Sequence, residues 1–306
     1  MHRRVGLFLA LSVVVSACEE ASPPRAILFV AVRPDHEGEE IYSINPDGTE
    51  ERRLTYSGDG KSSNIPQWSP DGTRIAFASN REDDTGWSSI YLMDADGNHD
   101  QRLTPVGSRD YFPIWSPDGK QIALMSSRDG NREIYVINSD GSDVRRLTNN
   151  EAFDAAYFWS SDSRQLVFTS DRDGSGKMYI MGSDGSDVRA IGPGYGGGWT
   201  DDEHHVWYMD YPASMKNGVP CYGVMDLDGT VVEQWCGRKP NQGLKHAMCY
   251  SPDMTQIAFP DTPDGDVSFP VTEEQLNKAE LYVADADGSN VRRLTFNDTY
   301  EGHCSW

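Results

Sequence analysis

The stretch Trp115-Ser116-Pro117-Asp118-Gly119, followed at once by the apolar Gln121-Ile122-Ala123-Leu124-Met125, restricts the fold more than any other because it recurs. A near-identical copy stands at Trp68-Ser69-Pro70-Asp71-Gly72. Weaker copies stand at Trp159-Ser160-Ser161-Asp162, Trp199-Thr200-Asp201-Asp202 and Tyr250-Ser251-Pro252-Asp253, and a final tryptophan at Trp306. Such self-similarity means that one supersecondary unit is repeated and that neighbouring units bury each other's faces.

The second copy serves as template. Ile65-Pro66-Gln67-Trp68 reads as a short strand and Ser69-Pro70-Asp71-Gly72 as a turn, in which proline presets φ and glycine accepts a positive φ. Arg74 to Ser79 is a second strand, Ile90 to Met93 a third, Asp94-Ala95-Asp96-Gly97 a tight turn, and Gln101 to Thr104 a fourth. One interval separates the hairpin glycine from the end of the fourth strand throughout: Gly48 to Thr55, Gly97 to Thr104, Gly141 to Thr148, Gly185 to Gly192, Gly229 to Cys236 and Gly288 to Thr295. Strands such as Ile122-Ala123-Leu124 are apolar or small on both sides, which suits sheets packed face to face.

The first unit has no opening strand and starts at Ile27-Leu28-Phe29-Val30, which matches the template's second strand. Gly302 to Trp306 supplies the missing strand. Pairing the two ends in one blade closes a ring and leaves no open sheet edge. The expectation is an all-β, six-bladed β-propeller of four-stranded antiparallel blades over residues 26–306, closed by the C-terminal strand on the N-terminal blade.

The succession of Trp-Ser-Pro-Asp-Gly, Ile-Ala-Leu, Ser127-Arg128-Asp129-Gly130, Ile-Tyr-Val, Asp-Gly and Arg-Arg-Leu-Thr resembles the repeats of the TolB-type β-propellers. The resemblance implies a six-bladed platform in the periplasm or at the cell surface that holds a protein or ligand. TolB proper carries an additional α/β domain before its propeller, and this sequence resembles the propeller alone. Related repeats also occur beside peptidase domains and in a pectin-fragment lyase. A carbohydrate-binding or oligogalacturonide-lyase-like enzyme using the central channel is therefore the alternative to a binding scaffold.

Arg3 and Arg4, an apolar run from Val5 to Val15, and the small residues Ser16 and Ala17 before Cys18 form a secretory signal, residues 1–17, too short to span a membrane as a helix. Val15-Ser16-Ala17-Cys18 resembles a bacterial lipobox, with an ordinary signal peptide as the alternative. The resemblance implies lipidation at Cys18, a short linker over 18–25, and a protein held in the cell envelope by its acyl chains. Glu19 after the cysteine favours the outer membrane, facing periplasm or surface.

Lys and Arg number 27 against 48 acidic residues, a formal charge of −21. Such a field repels phosphate backbones, so nucleic acid is not an expected partner and contact with membrane is expected only through the anchor. An envelope protein or peptide is. With Cys18 assigned to lipid, four cysteines remain for an oxidising compartment. Cys221 and Cys236 flank the turn Asp226-Leu227-Asp228-Gly229 symmetrically and fall opposite each other in a hairpin. By elimination Cys249 and Cys304 form the second pair, which would tie the last blade to the closing strand. Four free thiols are the alternative.

Motifs present in every blade are scaffold, so residues unique to one blade are the binding candidates. The short turns share one face of the ring, and the connections of variable length share the other. On that long-loop face the candidates are Trp87, Phe112, Tyr211, Met215 and Phe269, with Arg81 and Lys216 at their margin. Thr272 to Lys278 reads as a short capped helix there. His246 and His303 fall on innermost strands and, with Glu301, are candidates for a polar or metal-binding cluster in the channel. His204 and His205 sit beside a short turn and read as solvated. The acidic turns lack the full twelve-residue ligand set of a calcium loop. No nucleophile elbow or phosphate loop occurs. No cofactor, metal or catalytic residue is assigned.

Overall fold

The computed structural model describes residues 25–174, 176–200, 204–210, 214, 216, 221–236, 249–261, 279–297 and 301–306. Among these residues the strands form six four-stranded antiparallel sheets. The first comprises β1 (Ile27–Ala31), β2 (Glu40–Ile44) and β3 (Arg52–Arg53), joined by a strand from the far end of the sequence. Blade two is β4 (Ser63–Trp68), β5 (Arg74–Ser79), β6 (Ser89–Asp94) and β7 (Gln101–Arg102). Blade three is β8 (Asp110–Trp115), β9 (Gln121–Ser126), β10 (Glu133–Asn138) and β11 (Arg145–Arg146). Blade four is β12 (Asp154–Trp159), β13 (Gln165–Ser170), β14 (Lys177–Gly182) and β15 (Arg189–Pro193). Blade five is β16 (Tyr195–Trp199), β17 (His205–Met209), β18 (Cys221–Asp226) and β19 (Val231–Cys236). Blade six is β20 (Cys249–Tyr250), β21 (Gln256–Asp261), β22 (Glu280–Asp285) and β23 (Arg292–Arg293).

The strand that completes blade one is β24 (Glu301–Ser305), which pairs antiparallel with β1 through Leu28 and Ser305, then Val30 and Gly302. The chain is therefore a six-bladed propeller with the closure expected from its repeats. A disulfide joins Cys249 on β20 to Cys304 on β24, linking the inner strands of blades six and one. A second joins Cys221 to Cys236, directly opposed on β18 and β19.

Each repeated residue has a mechanical role. The serine hydroxyls of Ser69, Ser116, Ser160 and Ser251 donate to the aspartate two residues on at 2.6–2.7 Å. Each also accepts the backbone N–H five residues on at 2.9 Å, clamping the turn between first and second strands. The Ser69 hydroxyl is the main cause holding the Asp71 carboxyl below its ordinary range. The tryptophans staple neighbouring blades: Nε1 of Trp68 donates to Ala26 O at 3.1 Å, of Trp159 to Ile114 O at 3.1 Å, and of Trp199 to Trp159 O at 3.0 Å.

The Leu-Thr pair ending the outer strand explains why β3, β7, β11 and β23 are only two residues long. The threonine hydroxyl replaces a backbone carbonyl, accepting the N–H of Ile41, Ile90, Ile134 or Leu281 at 2.9 Å. The ladder thus continues through a side chain after the strand has ended.

The core lies between blades. Leu28, Val30 and Ile41 of blade one pack on Trp68, Ile75 and Phe77 of blade two. The opposite side of the same sheet, Ile27, Phe29 and Tyr42, packs on Ala258, Leu281 and Val283 of blade six. Both faces of the blade-one sheet are thereby dry, and closure buries the face that an open array would expose.

Candidate functional site

The innermost strands β24, β4, β8, β12 and β16 neighbour one another around the axis. They share a kink that the repeat motif conceals. Three residues before the tryptophan the backbone enters the left-handed region: Ile65 (φ 53°), Phe112 (φ 54°), Gly196 (φ 59°) and His303 (φ 43°). Pairing with the second strand slips at these points in β4, β8, β16 and β24. In β12 the slip falls between Ala156 and Phe158 and exposes Tyr157. A β-branched residue such as Ile65 rarely adopts a positive φ, and strain of this kind gathers at functional positions. In these five strands the bulge takes one residue out of the ladder, and those of β4, β8 and β12 border one cavity.

A cavity of about 320 Å³ opens where the bulges of blades two, three and four meet. Ile65, Phe112, Met125, Phe153 and Tyr157 wall it, and Gln67 and Arg132 are its side-chain amide and cation. The Arg132 guanidinium lies 5.2 Å from the centre of the Phe153 ring.

Two sets of buried acids hold the long-loop side together. At the start of the inner strands, Asp110 pairs with Arg128 at 2.7 Å, Asp154 with Arg172 at 2.9 Å and Glu301 with Arg33 at 2.8 Å. In blade two Ser63 stands in for the acid and accepts from Arg81 at 3.0 Å. At the start of the third strands, Glu40 pairs with Arg53 at 3.0 Å, Glu133 with Arg146 at 2.8 Å and Glu280 with Arg293 at 2.5 Å. Burial pushes the Glu133 carboxyl up, but hydrogen bonds from Thr148, Asn150, Arg146 and Asn131 outweigh it and hold the group below its ordinary range. For Glu301 burial prevails over the Thr295 and Arg33 interactions, and the carboxyl is raised.

The candidate residues separate on this frame. Trp87 is 39% exposed on the long-loop face, with the Arg109 guanidinium 4.3 Å from its ring centre. Phe112 is 43% exposed but lies on the bulge of β8, at the channel wall and not on a loop. Arg81 belongs to the repeated frame: it occupies the place of Arg128 and Arg172, stacks on Phe77 and Tyr91, and pairs with Asp100. Lys216 is exposed.

Glu301 does not line the channel with His303. It is fully buried and engaged by Arg33 and by the Leu281 N–H, whereas His303 is exposed on the bulge of β24. Cys18, Tyr211, Met215, His246, Phe269 and the segment 272–278 lie outside the described residues. Among the described residues no three His, Cys, Asp or Glu side chains are grouped to hold a metal ion.

Three exposed aromatics were missed by the sequence reading, one of them Tyr157 on the bulge of β12. Tyr56 and Phe296, each 71% exposed, follow the Leu-Thr pair in blades one and six on the long-loop side. Each stacks with an arginine of its blade's buried network, Arg53 at 4.5 Å and Arg293 at 4.8 Å. Their position directly after the repeated Leu-Thr was the available signal.

The family comparison agrees with this architecture. Residues 110–219 match the family model described as the TolB beta propeller domain. Over those residues the repeats are similar to the TolB propeller type. TolB of Acinetobacter baumannii superposes with a TM-score of 0.67 at 21% identity, over 92% of this chain and 66% of that one. The chain thus spans just under two thirds of that protein's length. A protein of Agrobacterium tumefaciens provisionally called TolB superposes with a TM-score of 0.61 at 18% identity, over 90% of each chain. A chain of a nidogen/laminin complex gives 0.61 at 12% identity, over 92% of this chain and 97% of that one. These likenesses establish the fold. No curated protein matches the sequence.

Proposed function

We propose that this TolB-type propeller is a lipid-anchored scaffold of the bacterial cell envelope that holds a protein or peptide segment on its long-loop face. The observation that carries the reading is the distribution of exposed aromatic rings. Tyr56, Trp87 and Phe296 stand on the long-loop face, each with an arginine at its ring, and Phe112 and Tyr157 stand at the channel below. The exposed large apolar residues Val144, Val188 and Val291 instead follow the short third-to-fourth turn and recur at one repeat position. Aromatic residues and arginine are the anchors of protein interfaces, whereas a valine repeated at one position in blades three, four and six marks scaffold.

The lipobox-like Val15-Ser16-Ala17-Cys18 supports anchoring through Cys18, and the TolB neighbours and two disulfides support an oxidising envelope compartment. The presence of a propeller chain in the nidogen/laminin complex is a precedent for this fold in protein assemblies. The sequence candidates Tyr211, Met215 and Phe269, with Lys216, are proposed as further members of that face. Crosslinked capture from membranes tests the reading: one dominant envelope protein is recovered, and Trp87→Ala combined with Tyr56→Ala and Phe296→Ala removes it. Undiminished recovery with the triple variant overturns the assignment of the face.

A further inference from the structure

We infer that the cavity at the channel wall is a seat for a carboxylate borne on an apolar body, carried by a free small acid or by the last residue of a peptide. The volume, about 320 Å³, lies at the lower end of the roughly 300–1,000 Å³ range of small-molecule sites, enough for a small acid or one residue and not for a folded segment. Its walls are apolar and aromatic, from Ile65, Phe112, Met125, Phe153 and Tyr157.

The charge decides the class of ligand. On the long-loop side Arg33, Arg53, Arg81, Arg128, Arg146 and Arg172 each have a carboxylate partner. Arg132 has none among the described residues, and its guanidinium is held over Phe153 at the cavity wall. Arg109, stacked over Trp87, has no acid partner among the described residues either, but of the two it is Arg132 that lines the cavity. Its planar fork matches a carboxylate, while the surrounding acidic field disfavours a dianion. Gln67 offers a second, neutral donor on the same wall. The bulge at Phe112 completes the site, because the left-handed backbone takes that ring out of the ladder and turns it to the cavity.

The inference shares the long-loop side with the proposed docking face, but its test does not depend on capture of a partner. Titration calorimetry of the full propeller with 3-phenylpropanoate and 3-phenylpropanamide, and with N-acetyl-Ala-Phe as acid and as amide, reads the seat directly. One of the two acids binds at least about tenfold more tightly than its amide, since a charge-assisted bond contributes roughly 1.5–3 kcal/mol. Preference within the free-acid pair or the peptide pair identifies the source. Arg132→Gln abolishes the preference, Arg132→Lys restores part of it, and Phe112→Ala weakens acid and amide alike. All three variants melt within a few degrees of the parent, as expected for changes at exposed side chains. Equal affinity for acid and amide, binding by neither pair, or a preference that survives Arg132→Gln overturns the inference. The capture experiment would be unaffected by that result.

Discussion

The indole Nε1 of Trp306 donates to the carbonyl oxygen of Arg25 at 2.7 Å, across 281 positions of sequence. The same tryptophan packs in the core between blades six and one, beside Phe29 and Val283. The bond that elsewhere staples one blade to its predecessor here ties the closing strand to the start of the ring. Trp306→Ala is expected to cost about 3–5 kcal/mol in urea unfolding, the range for large aromatic deletions in a core. Trp306→Phe should recover part of the loss, keeping most packing without the donor.

The Cys249–Cys304 bridge closes the same junction over a sequence separation of 55. Chain-entropy arguments assign such a loop about 4 kcal/mol, against about 3 for the Cys221–Cys236 hairpin with separation 15. Replacing Cys249 and Cys304 together by serine should therefore lower the urea midpoint more than replacing Cys221 and Cys236. Equal effects would show that the closing junction does not depend on its covalent tie.

Glu133 provides a pH signature. Its folded-state carboxyl is held below its ordinary value, so its contribution is present above the unfolded pKa and lost as pH falls through the folded one. Glu133→Gln breaks a buried ion pair with Arg146 and should cost about 3 kcal/mol at pH 7. The difference from the parent should shrink as pH falls from the ordinary glutamate range, about 4.3, through the lower folded-state value. A difference that does not change with pH would assign the loss to packing.

Gly72 and Gly119 end their turns at positive φ, and Ser163 and Met254 occupy the same place at 61° and 59°. The exposed Met254 loses little packing on truncation. Met254→Gly should therefore stabilise the protein by about 0.5–1 kcal/mol, seen as a higher urea midpoint, because glycine removes the steric penalty of the left-handed conformation.

The architecture was legible because the repeat is literal: Trp68, Trp115, Trp159, Trp199 and Trp306 each close an inner strand, and Leu-Thr ends the outer strand of blades one, two, three and six. The site was less legible for the same reason. Phe112 looked like a loop aromatic, since nothing in Tyr-Phe-Pro-Ile-Trp announces a left-handed bulge within a strand. Arg81 and Glu301 looked individual because their partners, Ser63 and Arg33, are distant in sequence and their roles emerge only when blades are superposed on Arg128 with Asp110. Tyr56 and Phe296 were hidden by adjacency to scaffold. Arg132 carried no sequence signal, because a missing ion pair is a property of three-dimensional neighbours.

The measurement that tests the central claim most directly is crosslinked capture from intact membranes with the anchor in place. It compares the parent, the Tyr56→Ala/Trp87→Ala/Phe296→Ala variant of the long-loop face, and a Val188→Ser/Val291→Ser variant of the opposite side. One dominant envelope protein should be recovered by the parent and the valine variant and lost from the aromatic variant. Recovery that survives loss of the three aromatic rings, or that falls equally in both variants, would contradict the account.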